Sequence, residues 1–433
     1  MKRIKPIIFS CVILYVFSAH LSAEQNQKIL TLDIKDAVNL AIDNNVSLKE
    51  SRITLNAAKR ARNDSWNSIS PTASLGASYT LPTSGDSNYD YTYSLSGTVS
   101  ASLSANLYTS IWSAKVSYES GKITFDDAVR TLEKSVRQSF YGLLYEKENI
   151  ELQEKNMENA RQTYVSNKTK YDQGRLSELD VLSAETTYKG YIPTVENARV
   201  VYQNDIAAFN QLLGLDINQE VTLKGDLDDA INIKAISLDG ISVKSSAVQK
   251  AELAVKSAKA GVLDKRFTAY APSLSATWKY SDTTTSKESG KTTADSSTLT
   301  LSATIPLDGV LPWSVRNDNV DTAKDTLKKA ELELEDAKTD LQVSIDSSMR
   351  TINQSMASVK SKQANVELAQ RTYDMTKQAY DRGTKDLLSL QSAMNSLLTA
   401  QLALKNESYT LIKNILTLES TIGVPFGTFG IQQ

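Results

Sequence analysis

From Tyr93 to Leu107, apolar and small polar residues alternate without interruption. Tyr93, Leu95, Gly97, Val99, Ala101, Leu103, Ala105 and Leu107 share one parity, and Ser94, Ser96, Thr98, Ser100, Ser102, Ser104 and Asn106 share the other. A period of two predicts a β-strand with one greasy and one wet face. The wet face is small and uncharged, which suits a water-filled lumen better than a packed interior. Similar runs at about 72–81, 273–280 and 298–305 complete two hairpins, 72–107 and 273–305. Polar segments, Pro82–Thr92 and Ser281–Ser297, are expected to join the strands as exposed loops.

Around the hairpins the period changes. Ile34, Ala37, Val38, Ala41 and Ile42 recur at helical spacing, and the pattern continues to about Trp66. A matching stretch runs from about Ser246 to Arg266, and Ser70-Pro71 and Ala271-Pro272 stop the two helices. Long polar helices are expected at 113–170 and 315–380, the first roughly 87 Å at 1.5 Å per residue. Return helices follow at 177–213 and 386–422. Pro193, with Gly190 just before it, predicts a kink or break in the first return helix. Helices this long point to extended, antiparallel, coiled-coil-like packing.

The pattern occurs twice. Ala160, Thr163, Tyr164, Lys168, Tyr171, Asp172, Gly174, Leu179, Ser183, Ala184 and Gly214 each find an identical residue 209 positions later, from Ala369 to Gly423. Upstream, Pro71, Ser74 and Tyr79 match Pro272, Ser275 and Tyr280 at an offset of 201. A period this long is a duplication, with repeats at 24–225 and 226–433.

Residues 1–23 read as a secretory signal: Lys2, Arg3 and Lys5, an apolar stretch from Ile7 to Phe17, and Leu21-Ser22-Ala23 before the cut. The apolar stretch is too short to span a membrane as a helix. Ile8-Phe9-Ser10-Cys11 sits too early, with a bulky Phe, to serve as a lipidation box. The only Cys and the only His, Cys11 and His20, lie inside this segment. The mature chain therefore lacks disulfides, thiolate or imidazole metal sites and His- or Cys-based catalysis. Nothing calls for a cofactor, and no Gly-rich phosphate loop is present. With Lys2, Arg3 and Lys5 gone from the 48 basic residues, 45 stand against 50 acids and no basic tract remains. That argues against a nucleic-acid partner.

A spanning segment must then be β, and in lipid such strands have to close into a barrel. Four strands enclose nothing, so the chain must share a barrel with copies of itself. Eight strands leave an interior filled by side chains and twelve or more leave an aqueous bore, so the pattern favours more than two copies without fixing the number.

The duplicated order of helix, hairpin, long helix, Gly turn and return helix resembles the TolC-like outer-membrane efflux proteins. Leu30-Thr31-Leu32, Asp36-Ala37-Val38 and Ala41-Ile42-Asp43-Asn44-Asn45 are similar to the family's opening, with Asn45 where Pro is usual. Tyr171-Asp172-Gln173-Gly174 and Tyr380-Asp381-Arg382-Gly383 resemble its turns, and Ile305-Pro306-Leu307-Asp308-Gly309 its exit from strand to helix. Leu213-Gly214-Leu215 and Ile422-Gly423-Val424 resemble its repeat ends.

The resemblance implies an α+β membrane protein without enzymatic activity. A homotrimer would form a twelve-stranded β-barrel in the lipid of the outer membrane and a helical periplasmic tunnel. It would be the passive exit duct of a tripartite efflux pump or a type I secretion system. Its partners would be a periplasmic adaptor (membrane fusion) protein and an inner-membrane pump of the ABC, RND or MFS class. The periplasmic tips would be Gly174, Arg175, Gly383 and Thr384. A gate would pair Asp180 with Tyr380 of a neighbouring protomer; a companion lock falls on Lys385 and Leu179, and Leu cannot accept a bond. Where the family places two rings of Asp, this chain has Ser389 and Ser392, which implies weaker cation selection and less block by multivalent cations. Asp386 is a candidate partial substitute, although a helix N-cap is its simpler role.

Tyr79, Tyr91, Tyr93, Trp278 and Tyr280 fit an aromatic girdle, and Lys279 falls on the polar face of its strand. The competing reading is a secreted coiled-coil scaffold or adhesin whose Ser/Thr runs are soluble strands.

Overall fold

The computed structural model describes residues 29–83, 90–228, 233, 236–238, 240–287 and 289–430. The expected signal peptide and part of the first hairpin loop lie outside them.

A short strand, β1 (Leu30–Leu32), leads into α1 (Ile34–Asn44) and α2 (Val46–Asn63). The sequence predicts one helix to about Trp66, but the chain breaks at Asn45. Its N–H closes α1 on the Ala41 carbonyl, its Oδ1 caps α2 by accepting from the Leu48 N–H at 3.1 Å, and its Nδ2 donates to the Leu212 carbonyl at 3.0 Å. One side chain thus caps a helix and ties the break to the far end of the repeat. A single 3₁₀ turn, Ser65–Ile69, then leads to β2 (Thr72–Thr80) and β3 (Tyr91–Ser104).

The first long helix, α3 (Asn106–Asp172), begins before the expected residue 113, and Leu107 is helical rather than the end of the strand. Asn106 explains the early start. Its Nδ2 donates to the Asp264 carbonyl, Asp264 Oδ1 and Thr268 Oγ1 at 2.7–3.0 Å, and Thr109 Oγ1 donates to the same carboxylate at 2.8 Å. These bonds hold the first turn of α3 against α5 (Ser246–Tyr270). The return helix α4 (Glu178–Leu213) runs through Pro193 without a break, and the Thr194 hydroxyl donates to the Gly190 carbonyl at 3.3 Å. After it, β4 (Val221–Leu223) pairs in parallel with β1.

The second half continues with β5 (Ser273–Lys287), β6 (Gly290–Thr304), α6 (Val315–Asp381) and α7 (Leu387–Ile422). Most of the expected loop at 281–297 is instead paired strand, 281–287 against 290–296. Ser281 Oγ lies 2.9 Å from Ser296 Oγ, and Thr284 Oγ1 lies 3.1 Å from Thr293 Oγ1. β-Branched Thr, at 283–285 and 292–293, favours strand despite its polarity.

The two hairpins join in one antiparallel sheet, ordered β2-β3-β5-β6. Each 67-residue helix spans roughly 100 Å. Near the sheet, α2 and α5 lie beside the upper parts of α3 and α6; farther away, α4 and α7 lie beside the lower parts. The main core sits between these levels, around Phe140, Phe209, Leu213, Ile415, Leu416 and Ile422. Each repeat closes there on a left-handed glycine. A Cβ on Gly214 would meet the Asn44 backbone at 2.8 Å, and one on Gly423 would overlap the Lys244 carbonyl. Beyond Gly423 the chain folds back: buried Glu419 accepts the N–H groups of Gly427 and Phe429 at 3.1 and 3.0 Å, and Arg130 donates to the Val424 and Gly423 carbonyls.

Candidate functional site

The sheet is a wall with two chemically different faces, fixed by its register. On one face Leu75 and Gly97 are opposite each other, as are Val99 and Trp278, Leu103 and Leu274, and Ala276 and Leu301. Leu75 is 87% exposed and Leu301 75% exposed, too much apolar surface for a strand in water. The other face carries Thr72, Ser74, Ser78 and Thr80 on β2, and Ser or Thr at every even position of β3 from 92 to 104. On β5 and β6 it carries Ser273, Ser275, Thr277, Lys279, Ser281, Thr298, Thr300, Ser302 and Thr304.

The apolar face runs from Leu103 up to Tyr93, roughly 34 Å of strand and roughly 25 Å of membrane at the usual tilt. Tyr79, Tyr91, Tyr93, Trp278 and Tyr280 all lie on this face, with the Tyr79 and Tyr91 rings 5.5 Å apart. On β5 and β6 the apolar band stops sooner and Asp282 faces Asp295. A slanted boundary of this kind is what tilted strands produce. No helix among the described residues is long and apolar enough to cross a membrane.

The opposite end of the molecule is a pair of matching turns. Gly174 (φ 69°) and Gly383 (φ 78°) end α3 and α6 in the left-handed conformation. The Gly174 N–H donates to the Tyr171 carbonyl at 2.7 Å and the Arg175 N–H to the Lys170 carbonyl at 2.8 Å; Gly383 to Tyr380 and Thr384 to Ala379, both 2.9 Å, repeat the pattern. Ser177 caps α4, accepting from the Asp180 N–H at 3.2 Å and donating its hydroxyl to Asp180 Oδ2 at 2.6 Å. Asp386 caps α7, accepting from the Ser389 N–H at 3.0 Å, and the bonds from Ser389 hold its carboxyl below the usual range. Leu179 and Leu388, equivalent in the two repeats, are 76% and 72% exposed.

Within the chain Asp180 and Tyr380 are not bonded to each other. The Tyr380 hydroxyl donates to Asn167 Oδ1 at 2.7 Å, with Lys170 Nζ 5.1 Å from the ring centre. Burial pushes the Tyr380 hydroxyl above its usual pKa; the Asn167 bond offsets part of this, and the charges of Asp180 and Asp381 add to it. The hydroxyl therefore stays a donor at neutral pH. Asn167 is fully buried and lies in a polar stretch of α3 where no periodicity marks it.

Two further bonds link the helix pairs: Gln391 Nε2 to Thr187 Oγ1 at 2.8 Å and the Tyr191 hydroxyl to Asn395 Oδ1 at 2.6 Å. A small core of Ala160, Tyr373, Leu390, Ala393, Met394 and Leu397 lies between them. Leu388, Ser392, Asn395, Ser396 and Thr399 face outward along α7; Ser389 is half-buried, and Lys385 is exposed beside the turn. Among the described residues no group of three or more His, Cys, Asp or Glu could hold a metal ion.

A family model described as outer membrane efflux protein matches residues 37–215 and 241–424. Comparison with curated protein sequences gives no match. Among solved structures, the chain is similar to the Campylobacter jejuni CmeC outer membrane channel, with 19% identity, 90% of this chain and 85% of that one covered, and a TM-score of 0.71. It is similar to CusC at 16% identity, with 93% and 96% covered and a TM-score of 0.75. It is also similar to the open state of the Neisseria gonorrhoeae MtrE outer membrane channel at 17% identity, with 90% and 89% covered and a TM-score of 0.69. At these identities the structural likeness speaks for the fold.

Proposed function

The chain belongs to the outer membrane efflux protein family, and from that membership and this geometry we propose that three copies form the passive exit duct of a tripartite efflux or type I secretion assembly. It has the TolC-like channel fold and is an outer-membrane protein. The observation that carries the oligomer is the pair of open sheet edges. β2 and β6 each have a partner on one side only. They run in opposite directions, so β6 of one copy meets β2 of the next as another antiparallel pair. That contact is head-to-tail and closes into a ring. Lipid does not tolerate an open edge, so the ring has to close. Three copies bring twelve strands, with the apolar face toward lipid and the hydroxyl face toward a bore.

Below the barrel, the four helical segments at each level of the chain become twelve in the trimer. The turns at Gly174–Arg175 and Gly383–Thr384 form the periplasmic tips, where exposed Leu179 and Leu388 offer apolar contact to an adaptor protein. The pump behind the adaptor supplies the energy. A bond from Tyr380 to Asp180 of a neighbouring protomer would require the Tyr380 hydroxyl to leave Asn167, so in this reading Tyr380 holds the tip through Asn167, and the exposed Ser392, Asn395, Ser396 and Thr399 line the narrow entrance.

Paired substitutions on β6 test the wall. Leu301→Arg places a charge toward lipid, at a cost of about 2–4 kcal/mol near the membrane midplane, and should abolish insertion of trimers. Thr300→Arg, one residue away, should insert and conduct. Equal insertion of both variants would refute the assignment of faces.

A further inference from the structure

The hydroxyl face is almost free of charge. From its base at Thr72, Ser104, Ser273 and Thr304 up to the pair Thr285 and Thr292, it presents Ser, Thr, Gly and Ala with a single exception, Lys279; a second lysine, Lys287 opposite Gly290, follows only at the outer tip of β5. Lys279 is exposed and sits in a row with Ser74, Thr98 and Thr298 across the four strands. Among the described residues of the four strands no carboxylate shares this face; Asp282 and Asp295, the acids in these strands, have the opposite parity. An ammonium group among hydroxyls keeps its full field in the space in front of the wall, because no neighbouring acid cancels it.

We propose that Lys279 sets the charge preference of the outer section of the duct, favouring anionic cargo such as carboxylates, sulfates and phosphates over polycations. The inference rests on the closed-wall reading above, which puts three copies of Lys279 in one layer around the bore. Hydroxyl groups bond neutral and charged solutes alike, so they contribute no sign, and the layer of ammonium groups supplies it.

The range of the effect follows from screening. The Debye length is about 30 Å at 0.01 M salt, long enough to span a bore, about 8 Å at physiological ionic strength and about 3 Å at 1 M. At physiological salt the preference acts on solutes that pass close to the wall, and at 1 M it vanishes.

A local probe avoids any influence of the distant tip. Thr298→Cys places a thiol directly across from Lys279, and the only native cysteine, Cys11, lies in the expected signal peptide. Anionic and cationic methanethiosulfonate reagents are added from the outer side to full-length trimers in bilayers. Lys279 is kept, or replaced in the Lys279→Gln and Lys279→Glu variants. Unit charges about 6 Å apart in water change each rate by roughly threefold in opposite directions, so the anionic-to-cationic rate ratio should fall roughly tenfold on Lys279→Gln at 0.01 M salt. It should fall further on Lys279→Glu, and the three should converge at 1 M. Equal ratios in all three at 0.01 M would overturn the proposal while leaving the duct intact. The Leu299→Cys variant is the control. If water-borne reagents modify it and spare Thr298→Cys, the faces are reversed, and the closed-wall reading falls together with the inference.

Discussion

Removing the Tyr380 hydroxyl should loosen the tip. In Tyr380→Phe the ring stays and the bond to Asn167 Oδ1, 2.7 Å long, is lost. Asn167 is 0% exposed, so water does not replace the missing donor while the tip is closed. Leaving a buried acceptor unsatisfied costs about 1–3 kcal/mol. Taking the lower figure in each of three protomers that open together, and with the Tyr380–Asn167 bond given up on opening, the closed state loses about 3 kcal/mol relative to the open one, a shift of roughly 100-fold toward open. Single-channel recording in planar bilayers reads this directly as a rise in open probability or in resting conductance. The double variant Tyr380→Phe with Asn167→Leu separates the latch from general loosening. It replaces both partners by apolar groups of similar shape, a change that is close to neutral where a single removal is not, and should return conductance toward wild type. Unchanged conductance in Tyr380→Phe, with trimers of normal thermal stability, would refute the latch.

Further outcomes follow from other parts of the chain. Gly423→Ala combines a left-handed φ of 78° with overlap on the Lys244 carbonyl, and should cost about 3 kcal/mol or more in thermal unfolding; Gly383→Ala, with the same φ and open space around it, should cost about 1–2 kcal/mol. Burial pushes the Glu146 carboxyl up from 4.5 to about 8, and neighbouring Asp205 adds to the shift. The folded chain holds a proton that the unfolded chain releases, so stability should decline as pH rises from about 4.5 and level off above about 8. Glu146→Gln should flatten that decline in melting curves; an unchanged pH profile would exclude the group as its source. Arg175→Cys and Thr384→Cys should crosslink to the adaptor in cells carrying the whole assembly, whereas a cysteine at Thr54, on exposed α2, should not; equal yields at all three would exclude the tips as the contact.

Much of the architecture was legible because each level of the sequence repeats the same instruction. The return helices carry apolar residues three and four apart, as at Leu387, Leu390, Met394, Leu397, Ala400 and Leu404, and end on Gly214 or Gly423. Strand parity in β3 reads straight from the sequence because one face has only small polar residues. Polarity misled at 281–297, where Ser and Thr read as loop although the β-branched Thr at 283–285 and 292–293 favours strand. The parallel pair of β1 and β4 was missed because three residues carry too little pattern, although Leu30-Thr31-Leu32 and Val221-Thr222-Leu223 share a rhythm. At the tips the glycines and caps were visible, while the partner of Tyr380 was not. Asn167 earns its place through a contact 213 residues away along the chain, and no local rule reaches that far.

Where the chain is strong and where it is weak suggests how such a duct moves. The large core joins both repeats near Phe140, Phe209 and Ile415, and both left-handed closures sit beside it. Toward the tips the core shrinks to a small cluster, and α4 and α7 are tied across by neutral hydrogen bonds: Gln391 to Thr187 and Tyr191 to Asn395. Neutral bonds contribute only about 1 kcal/mol each, against 2–5 kcal/mol for a buried Leu or Ile. The core is therefore the fixed point and the tips are the part that yields. A 36-residue helix projecting from that core is roughly 54 Å long, so a rotation of about 5° at its base carries its tip by about 5 Å. On the proposed reading, a modest push at the turns would be enough to widen the entrance while the core keeps its packing.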